Sequence, residues 1–124
     1  MPLRDLRGYL WDIAEACRSI LTFTEGTTLE DYLADGLLRS AVERQLTIAG
    51  EALSQAIRHF PDTLVQITAA REIVALRNRI VHAYVEVDDE TIWGIVERYV
   101  PRLLREAEDA LARSDDGDRN TGYG

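Results

Sequence analysis

The chain has no lysine. All 14 of its basic residues are arginine, set against 22 aspartates and glutamates, for a net charge of −8 at pH 7. That balance excludes a surface coated for non-specific nucleic-acid binding, which requires a basic exterior. It leaves room for a small local cationic site. A GC-rich coding sequence explains the arginine bias more simply than selection for phosphate recognition. There is one cysteine, Cys17, so no internal disulfide can form. Cys17 falls on an apolar helical face with Leu10, Ile13 and Ile20, which marks it as a buried structural thiol rather than a nucleophile. No apolar run approaches the roughly 20 residues that span a bilayer. Met1-Pro2-Leu3-Arg4-Asp5 has neither the apolar core nor the cleavage site of a signal peptide, and the expected location is the cytoplasm.

Several catalytic signatures are also missing. His59 and His82 are the only histidines, far apart in sequence. No HExxH or CxxC spacing occurs, and Asp12, Glu43 and Glu51 lack the paired ExxH motifs of a di-metal bundle. Gly26, Gly36 and Gly50 are isolated, so there is no phosphate-binding loop, and no nucleophile elbow is present. The chain is expected to hold no metal and no cofactor. His59, beside Phe60-Pro61, reads as a helix C-terminal histidine. Trp11 and Trp93 are expected to fill core or interface space.

What is present is helical periodicity. With 124 residues, 46% of them apolar, the chain suits one domain with a real core. Leu6, Leu10, Ile13, Cys17 and Ile20 predict a helix from about Leu3 to Thr24, closed by Glu25-Gly26. Thr28 and Asp31 predict an N-terminal capping box for a short helix to Ala34. Val42, Leu46, Ala49, Leu53, Ile57 and Phe60 form the apolar face of a third helix, Leu37 to Phe60. Pro61-Asp62 predicts a stop followed by an N-cap. A fourth helical region runs from Thr63 to about Tyr84, with an interruption near Thr68. Val85-Glu86-Val87 alternates like a strand but is too short to build a sheet. Asp88-Asp89 caps a last helix from Glu90 to Arg113, which Pro101 should kink or break. The fold class is therefore all-α: an up-down bundle of four main helices plus a short one. The domain spans residues 1–113, and the Asp/Gly/Asn-rich segment 114–124 is expected to be a flexible tail.

The chemistry concentrates in Arg77-Asn78-Arg79-Ile80-Val81-His82-Ala83-Tyr84. At about 100° per residue, Arg77 lies within a stripe of Ile73, Val74, Ile80, Val81 and Tyr84, where a charge is costly unless paired or functional. It could pair with a carboxylate, His82 could end the helix and Tyr84 could pack. Together, however, the residues supply the parts for cleaving RNA without a metal. Arg77 can bind a phosphate bidentately and stabilise developing charge. His82 can take a proton from a ribose 2′-hydroxyl near neutral pH. Asn78, one turn before His82, can orient it or hold a phosphate oxygen. Arg77 and His82 project about 140° apart on an ideal helix. A single helix therefore presents them poorly to one phosphate. Either the helix distorts at its end, or two copies pool their residues across a symmetric cleft. The expected assembly is a homodimer with a composite site.

Arg77-Asn78 with His82 and Tyr84 matches an R-x4-H-x-Y motif, and the chain resembles the HepT-like toxins of the HEPN superfamily. The likeness extends to Tyr9-Leu10-Trp11-Asp12-Ile13, Phe23-Thr24-Glu25-Gly26 and Ile48-Ala49-Gly50-Glu51-Ala52. Ala83 departs from a common glycine, and Val65-Gln66-Ile67-Thr68-Ala69-Ala70 lacks the usual Pro-Trp. The resemblance implies an endoribonuclease toxin of a prokaryotic toxin–antitoxin pair, with Arg77 and His82 catalytic and Asn78 supporting. It implies an MntA-type nucleotidyltransferase antitoxin that adenylylates Tyr84 with ATP and Mg²⁺, the metal belonging to the antitoxin. AMP on Tyr84 would set bulk and negative charge beside the site. Arg71 and Arg79 are candidate contacts for RNA phosphates. The competing expectation is a non-catalytic helical partner of a nucleotidyltransferase, binding nucleotide or serving as its modification target, which the acidic net charge favours.

Overall fold

The computed structural model describes residues 5–82 and 87–121, with side chains for 5–82 and 87–114. Six helices follow in order: α1 (Leu6–Thr24), α2 (Leu29–Ala34), α3 (Gly36–His59), α4 (Thr63–Gln66), α5 (Ala70–Val81) and α6 (Asp89–Thr121). Among the described residues there is no strand. The expected all-α bundle is present, with α1, α3, α5 and α6 as its main members. Some expectations fall outside the described residues: the start of the first helix at Leu3, the helical status of Tyr84, most of the strand-like Val85-Glu86-Val87, and residues 122–124 of the tail.

Local chemistry explains most boundaries. Asp5 accepts a bond from the Gly8 amide at 3.0 Å and caps α1. Gly26 turns the chain after α1 at φ +72°, a left-handed value that favours glycine. The expected capping box opens α2: the Asp31 amide donates to Thr28 Oγ1 and the Thr28 amide to Asp31 Oδ2, each at 3.1 Å. Asp35 caps α3 through the Leu38 amide. Asp62 precedes α4 but makes no side-chain cap bond, contrary to expectation.

The fourth helical region is divided in two. Ile67 is extended (φ −113°, ψ 91°) and fully buried, so the chain leaves the helix to seat that side chain in the core. Thr68 is then anchored from α6. Its hydroxyl lies 3.0 Å and its amide 3.3 Å from the Glu106 carboxylate. The anchoring amide is just ahead of α5, where a carboxylate complements the helix dipole.

The core is one cluster. Leu10, Ile13, Cys17 and Ile20 of α1 meet Val42, Leu46 and Leu53 of α3, Ile73 and Leu76 of α5, and Val96, Val100 and Leu103 of α6. Helix α1 packs against α3 and α6, and α3 carries α5 on its other flank. Burial pushes the Cys17 thiol up to about 12, as suits a structural thiol. Trp93 is buried beside the Tyr32 ring, with centroids 5.0 Å apart. Trp11 does not fill the core: it is 57% exposed. Pro101 does not break α6. It lies on the exposed face, where the Glu97 carbonyl that loses its amide partner can turn to water. Helix α6 also continues past Arg113, the expected end, to Thr121. Residues 114–121 have no apolar face but contain no proline either, and helix propagation needs no burial.

Candidate functional site

Helix α5 positions the cluster. Its core face is Ala70, Ile73 and Leu76. Val74 and Ile80 are half-buried and Val81 is 45% exposed. The face is thus rotated from the expected stripe, and Arg77 lies at its edge rather than its centre. The approach to α3 is unusually close there. A Cβ on Gly50 would fall 2.4 Å from Arg77 Cβ and 3.3 Å from the Ile73 carbonyl oxygen. Only a residue without a side chain lets Arg77 pass across α3 at this depth.

The guanidinium then emerges into a cleft of about 400 Å³ between α1, α3 and α5, lined among others by Asp12, Arg44, Glu51 and Gln55. Arg77 Nη2 lies 2.6 Å from Glu51 Oε2. Arg77 Nη1 donates to Asn78 Oδ1 at 2.8 Å. Arg77 Nε is buried and has no acceptor. The arginine is therefore held from two sides with one donor unsatisfied, a cost of about 1–3 kcal/mol. Glu51 is about half exposed, so the ion pair contributes at most about 1 kcal/mol. With Asp12 and Glu51 facing Arg44 and Arg77, the cleft carries no net charge.

The other predicted residues lie elsewhere. Arg71 and Asn78, both exposed, line a second shallow cleft with Ile57, Leu64 and Val74. His82 is exposed and caps α5, its amide donating to the Asn78 carbonyl at 2.9 Å. Its backbone (φ −105°, ψ 39°) has left the helix, so α5 closes within the motif. Helical phase sets Arg71, Asn78 and His82 along the outer face of α5, while Arg77 points toward α3. The structure thus brings Arg77 and Asn78 together and leaves His82 on a different face. Arg79 is exposed. Tyr84 lies outside the described residues. Among the described residues, no group of three or more His, Cys, Asp or Glu side chains is placed to hold a metal, and no helix is long and apolar enough to cross a membrane.

Sequence reasoning missed Glu51 as the partner of Arg77 and Gly50 as the contact that admits it. The signal was a glycine inside the helical apolar face of α3, which marks close backbone approach.

Comparison with known proteins gives a consistent picture. A family described as ribonuclease HepT-like matches residues 13–110. A protein of Thermococcus cleftensis named probable ribonuclease HepT is 37% identical over 100 residues, covering 81% of this chain and 90% of that protein. A Methanocaldococcus jannaschii protein, provisionally named an RNase, is 31% identical over 121 residues, covering 98% of this chain and 99% of its own. A protein of Caldanaerobacter subterraneus with a similar provisional name is 27% identical over 107 residues, 86% of this chain and 95% of its own. No solved structure matches the chain.

Proposed function

The chain belongs to the HepT-like family, and from that premise we propose that it is a ribonuclease: the metal-independent endoribonuclease toxin of a prokaryotic toxin–antitoxin pair. The observation that carries this reading is the placement of Arg77 and His82 at the end of one helix, on two different faces. Arg77 is held in a cleft by Glu51 and Asn78, whereas His82 stands exposed at the cap. At about 100° per residue the two groups project about 140° apart, which presents them poorly to one phosphate from a single chain. Two copies related by a twofold axis would let the arginine of one face the histidine of the other.

In that composite site, His82 takes the proton of the ribose 2′-hydroxyl. The oxygen attacks the adjacent phosphorus and closes a 2′,3′-cyclic phosphate; the bond to the 5′-oxygen breaks, and that oxygen takes a proton from water. Arg77 stabilises the charge that develops on the phosphoryl oxygens through its remaining N–H groups, while Glu51 keeps Nη2 and aligns the guanidinium. Asn78 holds Arg77 from the side, and Arg71 and Arg79 guide the flanking phosphates. The enzyme requires no cofactor and works in the cytoplasm. Its antitoxin is an MntA-type nucleotidyltransferase that adenylylates Tyr84, two residues from His82, and so blocks RNA entry.

A second reading has one observation in its favour. The body carries −8 and Arg77 already has a carboxylate partner, which suits a non-catalytic partner of a nucleotidyltransferase. Expression of the chain with and without His82→Ala separates the two. The nuclease reading requires that the parent arrest growth and degrade cellular RNA while the variant does neither. Equal harmlessness would leave the partner reading. Incubation with the nucleotidyltransferase and ATP should add the mass of AMP at Tyr84.

A further inference from the structure

Five arginines on α6 stand apart from the motif and have no role in the reading above; three of them form a row. Arg98, Arg102 and Arg105 are exposed and recur at four- and three-residue steps, so they share the outer face of the helix. Arg98 and Arg102 sit about 6 Å apart along the axis. Half-buried Tyr99, packed against the core, lies between them. The Arg98 guanidinium carbon is 5.6 Å and that of Arg102 5.8 Å from its ring centroid.

The row differs from the paired arginines. Arg18 meets Glu15 and Glu108, Arg39 meets Asp89, and Arg77 meets Glu51. Among the described residues, Arg98, Arg102 and Arg105 have no carboxylate within ion-pair distance. Like charges one turn apart repel. In a chain of net charge −8, three arginines without an ion pair, two of them held against an aromatic ring, are a local cationic strip on an acidic body. Arginine forks suit phosphate oxygens, and an aromatic ring flanked by guanidinium planes suits unstacked bases. The apolar residues of α6 face the core, so the strip has none of the exposed Trp, Phe or Leu that would insert into a lipid surface.

We propose that Arg98, Tyr99, Arg102 and Arg105 form a second contact for the backbone of single-stranded RNA, outside the Arg77/His82 site. The proposal rests on the ribonuclease reading for the identity of the polyanion. The strip gives affinity without sequence selection, and it holds a strand that the neutral Arg77 cleft would attract only weakly.

The test is fluorescence anisotropy with a labelled single-stranded RNA oligonucleotide, using His82→Ala protein so that the probe survives. Adding Arg98→Gln, Arg102→Gln and Arg105→Gln should weaken binding at least about tenfold. It should also lower the slope of log K against log salt by about 2, the share of three phosphate contacts on a single strand. An Arg58→Gln/Arg113→Gln control, at exposed arginines elsewhere, should bind like the parent, and melting curves should show all variants folded. Unchanged affinity and salt slope in the triple variant overturn the proposal, as does parent protein that binds no RNA. So does a triple variant that keeps RNA binding but loses sedimentation with phosphatidylserine vesicles, which would assign a lipid surface. Loss of RNA binding in the triple variant supports the strip even if wild-type protein cleaves nothing, so the strip and the nuclease reading fail separately.

Discussion

Gly50 and Arg77 share one point of contact between α3 and α5, where an added Cβ would stand 2.4 Å from Arg77 Cβ. The neighbouring residue, Glu51, then receives the guanidinium. Two adjacent residues of α3 thus set the depth and the direction of the arginine. Gly50→Ala gains up to about 1 kcal/mol of helix propensity, but the contacted atom is anchored to the backbone of α5 and cannot swing away. Overpacking of about 1–3 kcal/mol or more outweighs that gain. A fall of several degrees in the thermal midpoint, together with lower cleavage, is the expected result; a midpoint at or above wild type contradicts the close approach.

Glu51→Ala separates orientation from stability. The half-exposed ion pair is worth at most about 1 kcal/mol, so the melting curve should barely move. Arg77 would keep only its bond to Asn78, and kcat should fall about tenfold, the order expected from losing a group that aligns a catalytic side chain. Single-turnover cleavage beside a denaturation curve reads both quantities.

Glu106 holds the start of α5 through Thr68. Removing it strips a carboxylate from the helix start, a change of about 0.5–2 kcal/mol. In Glu106→Ala, hydrogen exchange should quicken at Thr68 and in the first turn of α5 before it changes in α1 or α3. Uniform acceleration would mean that the clamp serves the whole bundle.

Cys17 has a folded-state value near 12 because burial disfavours the thiolate, against 9.0 in the open chain. The unfolded chain therefore loses this proton first. Stability from this group is complete below about pH 9 and declines as pH rises toward 12. At pH 8 the folded protein should resist alkylation, and unfolding should expose one reactive thiol. Fast labelling of native protein would contradict its burial.

The bundle was legible because its signals are local. The apolar repeat in α1 and the Thr28/Asp31 box each encode structure within a few residues. The break in the fourth helical region was legible in place, as an interruption near Thr68, but not in cause, since its anchor is Glu106, 38 residues downstream of Thr68. The motif named the residues of interest, but periodicity alone misjudged the buried face of α5. It could not show that Arg77 crosses at Gly50 and pairs with Glu51, because both lie on another helix. The expectation for Trp11 left core and interface open, and its 57% exposure excludes only the core, because an aromatic on an amphipathic helix says nothing of which neighbour covers it.

The central claim is a site shared between two copies, and complementation measures it most directly. Arg77→Ala and His82→Ala proteins are each assayed for RNA cleavage in EDTA, then unfolded together at equal concentration, refolded and assayed again. The account predicts that each alone is reduced by at least about 100-fold. The mixture should regain about one quarter of wild-type activity, because half the dimers are mixed and each of those has one intact Arg77/His82 pair. A mixture as silent as its components, beside an active wild type, would contradict the shared site, and wild-type protein that leaves RNA intact would contradict the nuclease itself.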